Sequence, residues 1–507
     1  VAHGALLLWK RLSPLFLASK SLGVRVFGSL AGFVKARQNE DFIAAVDIAA
    51  MTLVSGQWES PWCSTSISKM SVGFFLWGGF LVRGISGFQV QPAGISVRAL
   101  SRTPNLAAVV STDVETPRDI ASMEEWATTY GVQRDEGFQL TTEDGIDVNV
   151  IAAQDLAAES TVLFVPSDII LSSNQAYQEL SEYIAPAEEF LGRMDGTDHL
   201  PQFYLFIKLL MEYEAGDQSF YFSWLNSLPR SYYNGASMTP FCYECLPPLA
   251  ATLAMKERTR FIYFSEALKT VDFISDQTKR DKDALKWVFQ VAFTRSFETD
   301  GDWRIVPMVD MFNHGAEPEV QIYYDDEGNC YAYTTKDVPA GSPLRMSYGD
   351  PTNPSHLFAR YGFLDETSPA TFCKIMLTPT KQLVDMGYDH SRMLFYKDTG
   401  DVSEEVWDVL LYQILESNKN EQRAFYEAHM AGDSETKSYF HQNYFSETSA
   451  ALQDHVDSFL RDLDELSRKV SALDINDHPR APLILSHNEF VKQTFLAVKA
   501  LNCPQPV

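Results

Sequence analysis

Hydrophobic and polar positions change their period several times along this chain, and each change predicts a change of element. Between 320 and 325 the period is two: Val320, Ile322 and Tyr324 share one face, Gln321, Tyr323 and Asp325 the other. The run Asp325-Asp-Glu-Gly-Asn329 supplies turn residues and Cys330 to Thr335 returns, which together read as a β-hairpin. A second turn at Asp337-Val-Pro-Ala-Gly341 leads to a short strand, Leu344 to Ser347, with Tyr348 at its end and Gly349 behind. Upstream, the apolar stretch Ile305 to Met311 predicts a buried strand or turn that stops at Asn313 and His314, polar side chains that need partners if buried. Further strands are read within 145–156 and 161–166.

Elsewhere the period is helical. Phe203, Phe206, Ile207, Leu210 and Tyr213 form a stripe, and residues 176–290 read as helical, with a break at Leu228-Pro229. A helix starting near Asp283 carries Val288, Val291, Ala292 and Arg295 on one side, so a cation shares an apolar face. After Glu366 the stretches Val406 to Leu415 and Phe459 to Val470 are amphipathic, with acidic residues on their solvated faces. Strands and helices in separate stretches make an α+β fold.

The chemistry-bearing residues follow these elements. A guanidinium such as Arg295 can grip a carboxylate through two parallel hydrogen bonds, although near a helix end it can also satisfy the last carbonyls. Asn313 beside His314 sets an amide next to an imidazole, a pair able to hold a purine and an amino-acid head group; alone, the dipeptide could cap a turn. Tyr324 taken singly reads as core. Their order is more specific than any one of them: Pro307, Asp310, Asn313, His314, Gly341, Ser347-Tyr-Gly349, Asn353 and Tyr361-Gly-Phe363.

That pattern resembles SET-domain protein methyltransferases, in particular the branch typified by the Rubisco large-subunit lysine methyltransferase, over roughly residues 120–365. The resemblance implies a β-rich SET domain with a knotted C-terminal segment, split by a helical insert at about 176–290. An all-α domain, 366–507, would follow and hold the protein substrate. It implies S-adenosyl-L-methionine as cofactor, bound by Arg295, Asn313 and His314 and along the backbone at Ile146 and Val148. Tyr348 is then the catalytic tyrosine; Tyr361, Tyr324 (or Tyr323), Phe297 and Asp310 line the substrate channel or its rim. One departure stands out: Asp147 and Asn149 occupy positions where the family carries glycines.

The implied reaction asks mainly for placement, because the sulfonium already makes its methyl group electrophilic. The target lysine, with an ordinary pKa of about 10.4, must lose its proton, and desolvation near a positive charge favours that. The expected function is a protein-lysine N-methyltransferase acting on a non-histone protein. Histidine methylation and a catalytically silent SET scaffold that binds a protein partner are the alternatives.

Composition narrows the setting. The chain has 507 residues, 45% of them hydrophobic, enough for two or three domains, and a net charge of −26 that disfavours nucleic acid as a partner. Six scattered cysteines give no disulfide framework, and Cys242-Tyr-Glu-Cys245 without a second pair reads as two core thiols, so no metal is expected. Residues 60–112 contain no Asp or Glu but carry Lys69, Arg83, Arg98 and Arg102. Within them Phe74 to Val82 is a signal-like apolar run and Ser86-Gly-Phe88 a small-residue cleavage site. Residues 1–110 are therefore read as a targeting region that looks like a bipartite plastid presequence, with a gene-model extension as the other reading of 1–69, cytoplasmic residence as the alternative localisation and no stable membrane association once the presequence is removed.

Overall fold

The β-strands of the chain, seen in a computed structural model, are short. The structure describes residues 110–502, apart from 115, 143–144, 374, 376–379 and 389–391. The apolar run at 74–82, Phe88 and the acid-poor segment up to 109 lie outside the described residues. In chain order the first strands are β1 (Gln133–Arg134), β2 (Phe138–Thr141), β3 (Asn149–Ala152), β4 (Thr161–Val165) and β5 (Leu171–Ser172). After a helical interval come β6 (Ser296–Thr299), β7 (Asp302–Ile305), β8 (Asn313–His314), β9 (Val320–Tyr324), β10 (Cys330–Thr334) and β11 (Arg345–Met346).

The predicted hairpin is β9–β10, which extends a sheet of order β1-β4-β10-β9. Its alternation matches burial: Val320 is buried while Gln321 and Tyr323 are exposed. β5, β7 and β6 form a second antiparallel sheet, and β2 pairs with β3. The pairing that matters most for the site is parallel: Arg345 lies opposite Asn313 and Met346 opposite His314. A parallel pair requires a long crossover. Residues 315–344, containing the β9–β10 hairpin, supply it and bring Tyr348 back beside His314.

Helices Ser173–Arg193, Leu200–Ala215, Pro248–Leu268 and Lys282–Thr294 lie between β5 and β6, the position predicted for the insert. The 203–210 stripe is fully buried, and Phe203, Phe206, Phe264, Phe289 and Phe293 interlock, with centroids 4.3 to 6.2 Å apart. Asp281 caps the last helix by accepting from the Ala284 amide. That helix ends at Thr294, with Arg295 as its C-cap.

Beyond helix Pro354–Tyr361, β12 (Ala370–Phe372) pairs with β13 (Leu394–Tyr396), an antiparallel ribbon absent from the all-α expectation. Strands of three residues are too short to show a period. From Glu404 to Asn502 the described chain is helical, with its own apolar cluster around Phe395, Val409, Phe425 and Phe495. Buried Asp408 accepts hydrogen bonds from Lys437 (2.7 Å) and Tyr388 and contacts His441 (2.6 Å), tying two of these helices, Glu404–Ile414 and Ser434–Asn443, to the 380s. A third cluster joins the halves: Leu249, Leu253 and Ala254 of the insert meet Phe358, Phe372, Val470 and Ile484. Cys242 and Cys245 are buried here. No helix among the described residues is long and apolar enough to cross a membrane.

This junction contains His487, which is fully buried; its Nε2 lies 3.0 Å from Ser355 Oγ and its ring 4.6 Å from Phe358. Burial pushes its pKa down to about 4 from 6.5. A depressed folded-state pKa means that its contribution to stability is complete above pH 6.5 and is lost as pH falls toward 4. Urea unfolding should therefore show roughly 3 kcal/mol less stability at the acid end of that window from this group. His487→Gln should flatten that part of the profile; an unchanged slope would refute the assignment.

Candidate functional site

The C-terminal end of helix Lys282–Thr294, the loop before β3, β8 and the segment after β11 all reach one cavity of about 840 Å3. Its floor is an ion pair. Arg295 Nη1 donates to the Asp310 carbonyl (2.7 Å) and to its Oδ2 (3.0 Å), and Trp224 Nε1 donates to the same Oδ2 (3.1 Å). Burial alone would lower the Arg295 pKa; the Asp310 carboxylate, with Tyr232 and Tyr348, outweighs it, so the net shift is upward and the guanidinium stays charged. Arg295 Nε and Asp310 Oδ1 are buried with no hydrogen-bond partner. Asp310 sits in a 3-10 turn, Val309–Met311, entered through Met308 at φ 74°. A non-glycine side chain in the left-handed region costs about 1–2 kcal/mol. Fully buried Met308 accepts that cost where the Asp310 carboxylate is aimed at Arg295.

The loop before β3 forms one wall. Asn313 Nδ2 donates to the Val148 carbonyl (3.1 Å) and to Asn149 Oδ1 (2.8 Å). Asp147 and Asn149, standing where glycines were expected, both have negative φ, so the backbone here does not require glycine. A second guanidinium, Arg118, spans this wall: Nη1 donates to the Ile146 carbonyl (2.7 Å) and Nε to that of Ser227 (2.7 Å). Its pKa is lowered to about 10, first by burial and then by Arg295, while Asp147 and Asp310 pull it upward. Arg118 is thus a cavity cation within reach of the Asp147 carboxylate.

The opposite wall is aromatic. The Tyr348 amide donates to His314 Nδ1 (3.1 Å) and its hydroxyl to the Phe312 carbonyl. Its ring lies 4.9 Å from that of Tyr361 and 5.6 Å from that of His314, which also faces Phe363 at 5.5 Å. Burial lowers the His314 pKa against the pull of Asp365, 3.4 Å from Nε2. His314 is therefore neutral near pH 7, with Nδ1 free to accept from Tyr348. Burial raises the Tyr348 pKa, so this residue is a phenol and not a phenolate near neutrality.

Residues 148–349 match the SET domain family model. This chain contains a SET domain. Among solved structures it is similar to the SET domain of LSMT bound to lysine and AdoHcy, at 12% identity and a TM-score of 0.52, covering 76% of this chain and 90% of that one. It is also similar to Rubisco LSMT bound to AdoMet (13% identity, TM-score 0.50, 76% and 92% covered). Rubisco LSMT bound to sinefungin and monomethyllysine gives 12%, 0.50, 76% and 91%. At these identities the likeness is one of fold. No curated protein matches the chain.

Of the expected site residues, Ile146, Val148, Arg295, Asp310, Asn313, Tyr348 and Tyr361 border the cavity. His314 stands one layer behind, accepting from the Tyr348 amide. Two expected channel residues do not reach the cavity. Tyr324 is on the inner face of edge strand β9, where it meets the Arg304 guanidinium of β7, 4.5 Å from its ring centroid. Tyr323 points the other way and stacks on Tyr331 at 4.9 Å. Phe297 pairs with Arg304 across β6–β7, a hairpin leading away from Arg295. Asp310 does border the cavity, but its carboxylate is taken by Arg295 and Trp224, which makes it a counterion and not a rim residue. Sequence reasoning missed Arg118, Arg230 and Tyr232, which also border the cavity. They stand in irregular stretches with no period, and only the fold brings them there.

Proposed function

We propose that this chain is an S-adenosyl-L-methionine-dependent protein-lysine N-methyltransferase acting on a non-histone protein, most simply a plastid one. The observation that carries the reading is the meeting, in one cavity, of the anchored Tyr348 phenol and the Tyr361 ring with Arg118, Arg295 and Asn313. The residues fit the cofactor. A cavity of about 840 Å3 suits a nucleoside-sized ligand. Arg295 Nε and Asp310 Oδ1 are buried without partners, and two guanidinium groups are the donors a carboxylate needs. Arg118 and Arg295 would take the carboxylate, and Asn313 with the backbone at Ile146 and Val148 the remaining polar edges.

When bound, this cofactor supplies a methyl group made electrophilic by its sulfonium. The chain does the positioning. Tyr348 donates its hydroxyl proton to Phe312, which fixes the phenol oxygen so that its lone pairs can accept weak C–H hydrogen bonds. A neutral phenol is no base, so the amine arrives deprotonated; burial beside Arg118 and Arg295 favours that form. The acid-poor, Arg-bearing segment before residue 113 supports plastid import, and the comparison structures, two of which hold lysine or monomethyllysine, support an amine acceptor.

Calorimetric titration of the purified chain with S-adenosyl-L-methionine tests the reading. Micromolar binding is expected, weakened about tenfold in Asn313→Ala, where one bridging amide is lost. A folded sample that binds none at millimolar cofactor would favour a partner-binding scaffold instead. With binding in hand, labelled methyl transfer into plastid extract identifies the acceptor.

A further inference from the structure

Arg360 is the last residue but one of helix Pro354–Tyr361, next to the channel tyrosine and on no list of groups that chemistry alone would require. Its guanidinium carbon lies 5.4 Å from the ring centroid of Trp303 and 5.7 Å from those of Phe293 and Tyr361. Nη2 donates to the Phe293 carbonyl (2.9 Å), two residues before Arg295, while Nε is buried with no partner. Among the described residues no carboxylate forms an ion pair with it. Three rings and one carbonyl hold this cation, an arrangement that suits a flat guanidinium and not an ammonium.

The backbone around it is equally constrained. Asn234 Nδ2 donates to the Arg360 carbonyl (3.0 Å), and Asn234 Oδ1 accepts from Gln290 of the helix that Arg295 caps. Gly362 follows at φ +85°, where a Cβ would meet Asn234 N at 2.6 Å and Tyr233 C at 2.7 Å. The main chain on both sides of Tyr361 is pinned, which leaves its ring to be set by what it leans on. One side faces Tyr348 at 4.9 Å; Arg360 occupies another.

We propose that Arg360 is a positioning residue: wedged among Phe293, Trp303 and Tyr361, it fixes the angle at which the Tyr361 ring faces Tyr348 and so the room left around the target amine. This rests on the methyltransferase reading given above. A loosened ring widens the channel, so acceptor binding and the number of methyl groups added change, while the cofactor's contacts at Arg118, Asn313 and Arg295 do not.

The test uses the full chain, a pooled library of lysine-centred peptides and labelled methyl donor, comparing wild type with Arg360→Met and Arg360→Lys. Arg360→Met should raise the acceptor KM about fivefold, the worth of one partly desolvated cation–π set, and shift the ratio of mono-, di- and trimethylated product. The donor KM should stay within about twofold. Arg360→Lys, which keeps charge but not the flat stack, should fall between. A purely structural role would lower the amount of active enzyme and leave acceptor KM and product ratio as in wild type; that result overturns the proposal. Should the wild type bind no cofactor and methylate neither these peptides nor any protein of the extract, the methyltransferase reading fails separately. A crystal structure of Arg360→Met then decides: a rotated Tyr361 ring supports the positioning role, and an unmoved ring overturns it.

Discussion

Tyr348→Phe should reduce turnover about 100-fold while S-adenosyl-L-methionine binds within about twofold of wild type. The substitution removes only the hydroxyl that donates to the Phe312 carbonyl. The amide contact with His314 Nδ1 and the ring packing against Tyr361 remain, so the aromatic wall keeps its shape. In the proposed mechanism the cavity loses a fixed oxygen that would orient the transferring methyl group, an interaction felt more in the transition state than in the bound state. Single-turnover methyl transfer beside calorimetry separates the two effects. Wild-type turnover in a folded variant would remove Tyr348 from the mechanism. A parallel loss of affinity would make it a cofactor-holding residue instead.

Arg295→Ala should abolish detectable cofactor binding and destabilise the fold by roughly 3–5 kcal/mol, because it strands a buried carboxylate. Asp310 is engaged from both sides, by Arg295 at 3.0 Å and Trp224 at 3.1 Å, and its other oxygen already lacks a partner. Removing the cation leaves the buried carboxyl, whose pKa burial already raises, with one indole N–H and the Arg118 charge. The urea midpoint and the calorimetric isotherm read the two consequences independently. A double variant, Arg295→Met with Asp310→Leu, should regain much of the stability, since apolar residues of similar size can replace a buried pair, but none of the binding. A single variant as stable as wild type would show that the pair contributes nothing to the fold.

The contrast between these two residues shows which parts of the site were legible. Tyr348 stood out at the end of a turn and short strand and Arg295 on an apolar helical face, but the role expected of each came from the motif pattern as a whole. For Tyr324 the local pattern and the resemblance diverged: alternation put it on the inner face of β9 as core, where it meets Arg304 of β7, whereas the resemblance placed it in the channel. Arg118 and Tyr232 carried no local pattern at all. Asp147 and Asn149 looked costly where the resemblance expects glycines, yet the loop keeps negative φ at both, and Arg118 interacts with the Asp147 charge.

By itself, then, the sequence determined the elements whose periods exceed a few residues: the β9–β10 hairpin, the Phe203–Leu210 stripe, the helix leading to Arg295 and the C-terminal helices. It also determined the order of Asn313, His314, Tyr348 and Tyr361, because motif order is a property of the chain. Tertiary structure alone decided the parallel pairing of β8 with β11, which sets Tyr348 beside His314 across more than thirty residues, and the short β12–β13 ribbon. It decided as well that Asp310 is a counterion and that Arg118 and Arg360 flank the site. The reason is common to all of these: periodicity reports which face of an element is buried, whereas what that face meets depends on contacts between segments distant in sequence.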